Sequence, residues 1–170
     1  MDYVRWTDLG FDHSPYWAYL KSVEGVMPGS LHAFASNPEN HDLTSPNSLH
    51  DASLRCWKVT EPALPPDATV EIDIELLGPQ WDRLIRLWYG EVISYTVDES
   101  PAVADQEGVR RGHGDLLVHE LRMAEDDSFR HELVFSSGTV FLVQFRAFGH
   151  AIEMLDEPVK RRPKPRRQSP

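Results

Sequence analysis

Between Val70 and Leu76 the chain alternates without a fault: Val70, Ile72, Ile74 and Leu76 are apolar, while Glu71, Asp73 and Glu75 carry charge. A period of two sends successive side chains to opposite faces, so this segment is a strand with one dry face and one acidic, wet face. A sheet that buries one face and wets the other is of the antiparallel kind. The neighbouring segments extend it. Leu54 to Val59 reads as a preceding strand, joined through the Pro62–Asp67 stretch. After it, Gly78-Pro79 marks a turn and Arg83 to Val97 reads as one long strand, with Ile85, Leu87, Tyr89, Ile93, Tyr95 and Val97 on one parity and Gly90 as a bulge. A four-residue loop from Gly78 to Trp81 pairs Ile74 with Ile85 and Ile72 with Leu87, and sets Asp73 beside Arg86.

Residues 98–114, with Pro101, Gly108, Gly112 and Gly114, break the pattern, and loops of that length are functional or disordered more often than structural. Three further strands follow. Asp115 to Ala124 turns at Asp126-Asp127-Ser128 into Phe129 to Phe135, which turns at Ser136-Ser137-Gly138 into Thr139 to Phe148. Gly138 suits the left-handed position of a three-residue hairpin loop. Leu117, Leu121, Met123, Phe129, Leu133, Phe135, Phe141, Val143 and Phe145 are all odd-numbered, which requires hairpin loops of odd length. Cross-strand charge then selects the register with Leu121 opposite Leu133 and Arg122 opposite Glu132, over the one that sets Arg122 against Arg130 and Glu120 against Glu132.

Ahead of the strands, Ser14 as N-cap and Pro15 at the first helical position open a helix carrying Tyr16, Tyr19, Leu20 and Val23, closed by Gly25. A shorter helix spans Ser30 to Ser36. The expected fold is α+β leaning mainly β: N-terminal helices packed on a curved antiparallel β-meander of six or seven strands. Residues 1–155 form a single domain, with 1–46 the helical lead-in and 48–155 the meander. Residues 156–170 form a basic, proline-rich tail that cannot pack and is expected to be disordered.

A chain of 170 residues with 41% hydrophobic content sustains a core without staples. Its one cysteine, Cys56, excludes an internal disulfide and a thiolate zinc cluster, and within Leu54-Arg55-Cys56-Trp57 it reads as a small buried hydrophobe. The first residues lack a cationic start and an apolar run, and no apolar run spans a bilayer, so a cytoplasmic protein without membrane contact is expected. Net charge is −10; the last 13 residues hold six Lys/Arg and no acid, which leaves a body at −16. Such a body repels nucleic acid and either suits a basic protein partner or serves solubility alone. The tail is expected to touch that body weakly or to have no role.

Eight histidines raise the question of metal. In the charge-selected register His119 and His131 sit four residues apart across the hairpin and read as core histidines. The two His-Glu-Leu triplets lack the helix and second histidine of a zinc-protease motif. His41-Asp42 and His50-Asp51 resemble HD phosphohydrolases, a helical fold, only as dipeptides, and at the start of the first strand His50-Asp51 suits a turn cap. Gly112-His113-Gly114-Asp115 is the sharper candidate: two glycines let the backbone approach a ligand, and Asp115 can orient the histidine ring. The candidate binding residues are therefore His113 and Asp115, with His50, Asp51, Asp82 and Arg83. No phosphate loop, nucleophile elbow or dinucleotide fingerprint is present, so no catalytic set, metal or cofactor is expected.

Ser48-Leu-His-Asp-Ala-Ser-Leu54, Leu76-Leu-Gly-Pro79 with Asp82-Arg83, and Gly112-His-Gly-Asp-Leu-Leu-Val-His-Glu120 with His131-Glu132 and Phe135 together resemble a family of small bacterial proteins with no established activity. Met27-Pro28 to Phe34-Ala35 and Asn37-Pro38-Glu39 look like that family's lead-in, so the resemblance covers roughly residues 20–150. More distantly, the Leu49-His50-Asp51 lead-in looks like that of some proposed immunity proteins of bacterial toxin systems. Two functions are carried forward. The first is a non-catalytic binding or interaction module, an acidic inhibitor or immunity-type protein for a basic partner. The second is a ligand-binding or hydrolytic enzyme with a site at the 98–114 loop around His113 and Asp115. Convergence of the candidate side chains in one pocket separates the two.

Overall fold

The structure is a computed structural model, and it describes residues 1–8, 10–64, 66, 68–98 and 112–160. A small hairpin, β1 (Arg5–Thr7) and β2 (Gly10–Asp12), precedes two helices, α1 (Ser14–Ser22) and α2 (Gly29–Ala35). Eight strands follow: β3 (Ser53–Thr60), β4 (Glu71–Leu77), β5 (Arg83–Gly90), β6 (Ser94–Asp98), β7 (Leu116–Met123), β8 (Phe129–Phe135), β9 (Val140–Phe145) and β10 (Ala147–Met154). The fold is mostly β and antiparallel. It is not one meander, however: beside the β1–β2 hairpin there are two four-stranded sheets, ordered β10-β5-β4-β3 and β6-β9-β8-β7.

The division arises where two expected long strands break. At Gly90 the chain leaves β5, passes Glu91 in the left-handed region at φ 49°, and re-enters pairing as β6 in the other sheet. Ile93 N–H then donates to Gln144 C=O at 2.8 Å. Opposite, the run through Phe148 divides at Arg146 into β9 and β10. Met154 to Ala147 pairs with Arg83 to Gly90, and Gln144 to Val140 pairs with Ser94 to Asp98. One bent ribbon thus serves both sheets, which is how a sandwich turns a corner. The parity of Arg83–Val97 therefore does not persist: Ile85, Leu87 and Tyr89 are buried, whereas Ile93, Tyr95 and Val97 are exposed. At the opposite margin Ser53 bridges Asp115, and Leu116 exchanges backbone hydrogen bonds with Ala52 and Asp51, both at 2.8 Å. The two sheets are joined along both margins. Between them lie Ile72, Ile74, Leu76, Ile85, Leu87 and Tyr89 from one and Leu133, Phe135, Phe141, Val143 and Phe145 from the other.

Two registers differ from expectation. In the β4–β5 hairpin Ile74 faces Leu87 and Ile72 faces Tyr89, so the turn is two residues longer than the loop from Gly78 to Trp81, and Arg86 lies opposite Glu75 rather than Asp73. Its guanidinium meets Glu75 at 3.4 Å and Glu153 at 3.0 Å. In the β7–β8 hairpin Leu121 faces His131, Arg122 faces Arg130 and Glu120 faces Glu132, which is the register rejected on charge. The reason is that the even face is not wet. The first residues of the chain cover it: Asp2, Tyr3 and Val4 donate their N–H groups to the Glu120 carboxylate at 2.9, 2.8 and 2.7 Å, the Met1 ammonium pairs with Glu132 at 2.8 Å, and Asp2 pairs with Arg122 at 2.9 Å. Arg122 also reaches Glu120 at 3.0 Å. Groups from outside the sheet neutralise the like-charge pairs, so the two-strand rule does not apply. The β8–β9 loop is Ser136-Ser137-Gly138, with Gly138 at φ 85°.

Helix α1 opens one residue earlier than expected: Ser14 is inside it, and the Asp12 carboxylate accepts the Ser14 N–H at 2.9 Å. The helix seals an edge. The Tyr16 hydroxyl donates to Leu121 C=O at 2.8 Å and accepts from Leu121 N–H at 3.0 Å, and the Tyr19 hydroxyl accepts from Met123 N–H at 2.7 Å. The outward N–H and C=O of Leu121 and the N–H of Met123 are thereby satisfied without another strand. Cys56 is exposed rather than buried, because β3 is an edge strand with a bulge between Leu54 and Cys56 that turns the thiol outward. After β10 the chain runs back along the β4–β5 turn: Leu155 N–H donates to Asp82 C=O and Val159 N–H to Trp81 C=O, both at 2.8 Å. The segment expected to be free from residue 156 thus lies along the body as far as Val159. Residues 99–111 of the long loop, and the tail from 161, lie outside the described residues.

Candidate functional site

The six candidate binding residues do not share one pocket. His113 rests its ring on Phe135 and Phe141, with Nδ1 3.2 Å from Thr139 Oγ1. Asp115 does not orient it. Its carboxylate instead accepts from the Ser53 hydroxyl beside the bridge that joins the sheets. Asp82 and Arg83 form a two-pronged pair at 2.8 and 2.9 Å at the β4–β5 turn, and Arg83 also donates to Asn47. That pairing holds the Asp82 carboxyl below its usual range. Asp51 is exposed, in the left-handed region at φ 62°, with a carboxylate oxygen 3.2 Å from His50 Nδ1. These residues shape turns and the sheet junction, and of the six His50 alone lines the cavity that lies beside the N-terminal hairpin.

That cavity, about 460 Å³, lies between the β1–β2 hairpin, the loop from Asn40 to His50 and the start of β7. Trp6, Phe11, Leu43, Leu117 and Val118 give it apolar walls; His13, Asn40, His41, His50 and His119 give it polar ones. Each is placed by a local feature. His13 sits immediately before α1. The 3-10 turn Pro38–Asn40, capped by the Asn37 side chain, delivers Asn40 and His41, and His41 Nε2 lies 3.3 Å from Ala35 C=O at the end of α2. His119 enters from β7, where a register shift between Leu116 and Val118 turns the strand.

The histidines form a continuous series. His13 meets His41 edge to face at 5.3 Å, and His41 stacks on His119 at 4.3 Å. His119 Nδ1 is 3.1 Å from His131 Nε2, and His131 Nδ1 is 2.8 Å from the Tyr89 hydroxyl. The expected four-residue separation of His119 and His131 is therefore replaced by diagonal contact, since Leu121 faces His131. Both are core histidines, 2% and 0% exposed. Phe34 of α2 packs against both rings at 6.0 Å. Burial disfavours the charged imidazole, and it lowers His41 to about 4, His131 to about 3 and His119 well below the ordinary value; neighbouring histidines lower His119 further. At neutral pH the series is uncharged. His119 Nε2 is buried, with no surface open to the cavity, and a hydrogen bond to the Asn40 backbone favours a proton on the ring. Among the described residues no group of three or more His, Cys, Asp or Glu is arranged to hold a metal ion.

The sequence held a signal for this site. His119 and His131 are twelve apart around a short turn, and a three-residue loop at Glu125-Asp126-Asp127 places them diagonally. The contributions of His13 and His41 come from non-local packing and leave no periodic trace. No protein-family model matches this chain, and no curated protein or solved structure is similar to it.

Proposed function

We propose that this chain is a non-catalytic binding module whose ligand occupies the histidine-lined cavity. The observation that carries this reading is a cavity of ligand size, about 300–1,000 Å³ being the usual range, in which neutral polar groups converge between apolar walls. The lining holds no carboxylate, hydroxyl or thiol among the described residues, so its histidines have no Ser, Thr or Cys nucleophile to activate there. The imidazoles of His13, His41 and His119, held uncharged by burial, and the aromatic walls suit a small, flat, uncharged ligand.

The test is a screen of small uncharged aromatic compounds by ligand-detected NMR against the full chain and against Leu43→Trp, which narrows an exposed part of the cavity wall. Saturable binding that Leu43→Trp removes, with unchanged circular dichroism, is expected. Equal binding to both proteins, or none to either, contradicts a cavity site. The alternative of an acidic inhibitor for a basic partner draws on the body's charge of −16 and on Glu71, Asp73 and Glu75 of β4. The resemblance to small bacterial proteins adds a grouping to either reading and no activity.

A further inference from the structure

Asn40 lines the cavity and is only 3% exposed. Its Nδ2 donates to Phe34 C=O at 2.8 Å, which fixes the orientation of the carboxamide. Among the described residues Asn40 Oδ1 accepts no hydrogen bond, and it is not enclosed as His119 Nε2 is. The next residue repeats the arrangement. His41 Nε2 lies 3.3 Å from Ala35 C=O. A carbonyl can only accept, so the hydrogen of the uncharged ring is on Nε2 and Nδ1 is bare. His41 Nδ1 also meets no donor among the described residues and keeps surface. Both arrangements have one origin. Phe34 and Ala35 end α2, where a helix leaves its last carbonyls without intrahelical partners. The 3-10 turn brings Asn40 and His41 back to those carbonyls, and each side chain gives its donor to one of them. The other polar side chains of the lining follow the same pattern. Hydrogen bonds to the backbone of Phe11 and of Asn40 favour a proton on His13 and on His119, and His50 Nδ1 faces the Asp51 carboxylate at 3.2 Å. The hydrogens of the lining are directed at the protein, and the lone pairs of Asn40 and His41 are left for the cavity.

Resting on the cavity reading above, we infer that Asn40 Oδ1 and His41 Nδ1 form an acceptor pair, so that the site selects uncharged aromatic ligands carrying an N–H or O–H donor, such as an indole, a phenol or an aromatic amine. A ligand of the same shape that only accepts would set lone pair against lone pair and strip both acceptors of water without replacing it. A site built to hydrogen-bond a donor rejects the analogue that lacks it for this reason.

The closing experiment separates this inference from the reading it rests on. Indole and benzofuran share a shape, and indole presents an N–H where benzofuran presents an acceptor oxygen. Benzofuran is the more apolar of the two, so filling of an apolar space alone favours it. Indole is expected to bind the unaltered protein about tenfold more tightly, the worth of one well-formed buried hydrogen bond. Benzofuran binding as tightly as indole overturns the donor preference and leaves the cavity site standing. Binding of neither probe removes the cavity site and the inference with it. Long-range 1H–15N correlation spectra report which nitrogen of the His41 ring carries hydrogen. Hydrogen on Nε2 is expected, and hydrogen on Nδ1 overturns the polarity. His41→Phe and Asn40→Leu each remove one acceptor. The preference for indole is expected to shrink in at least one of them while benzofuran still binds, and a full preference in both overturns the acceptor pair. If neither variant folds, the probe pair and the His41 ring spectrum of the unaltered protein still decide.

Discussion

Glu120 shows how far one side chain depends on groups distant in sequence. Its carboxylate is fully buried, yet it accepts three backbone N–H groups from residues 2–4 and an Arg122 guanidinium. Glu120→Ala removes the acceptor of three N–H groups and one carboxylate of Arg122, which keeps Asp2, so it is expected to cost about 3 kcal/mol or more in urea unfolding. A cost below about 1 kcal/mol would mean that solvent reaches the site. The histidine series makes a pH prediction. His41 and His131 ionise near 4 and 3 in the folded chain against 6.5 ordinarily, so the unfolded chain binds protons that the fold refuses. Their contribution is whole above pH 6.5, declines as pH falls, and is lost once pH has passed through the folded values. Each group contributes a slope of at most about 1.4 kcal/mol per pH unit. Unfolding free energies at about pH 7, 6 and 5 are expected to fall progressively, and His41→Gln should flatten that fall. An identical slope in the variant would assign the pH dependence elsewhere. These residues also mark where sequence reasoning failed. Opposite charges across a hairpin are a sound guide where both side chains face water. Arg122 and Glu120 face the N-terminal segment instead, and no local pattern announces that.

At the scale of elements, the strand periodicity was legible and the joints between strands were not. Val70–Leu76, the β8–β9 loop with Gly138 and both helices lie close to where propensity and turn chemistry put them. The break at Gly90–Ile93 escaped because odd parity continues through it in the sequence while the sheet changes beneath it; at Arg146 the parity does switch, from Phe145 to Phe148, within a run that reads as a single strand. The device that closes β7 was equally hidden, since two tyrosines spaced for a helix face read as core. Tyr16→Phe leaves both Leu121 backbone groups without a partner in a buried setting, and is expected to cost about 1–3 kcal/mol. Tyr19→Phe should cost less, since that ring is half-buried. Equal, negligible effects in thermal melts would show that water replaces the hydroxyls. Gly114 sits at φ 78°, and a Cβ there would collide with Ser136 Oγ, which accepts the Asp115 N–H at 3.0 Å. Gly114→Ala combines a left-handed cost of about 1–2 kcal/mol with loss of that hydrogen bond. It should lower the melting temperature more than Gly112→Ala, where no atom of the described residues lies within 4 Å of the added carbon.

For the whole molecule, the two joined sheets form the frame, and the N-terminal hairpin, α1, α2 and the loop from Asn40 to His50 form a cover over β7. The cavity lies where cover meets frame. It draws on segments that are far apart in the chain and individually unremarkable, so the glycine-flanked His113, conspicuous in sequence, was the easier candidate and proved to pack against the core edge. The site's central claim is that the space between these parts is filled selectively by a small ligand. Methyl 1H–13C spectra during a titration with indole test this most directly. A cavity site gives saturable shifts at Leu43, Leu117 and Val118, with none at the exposed Leu64, Ile152 and Met154. Shifts that grow linearly with indole and appear equally at both sets of methyl groups would contradict it, and would identify the space as a packing gap without a ligand.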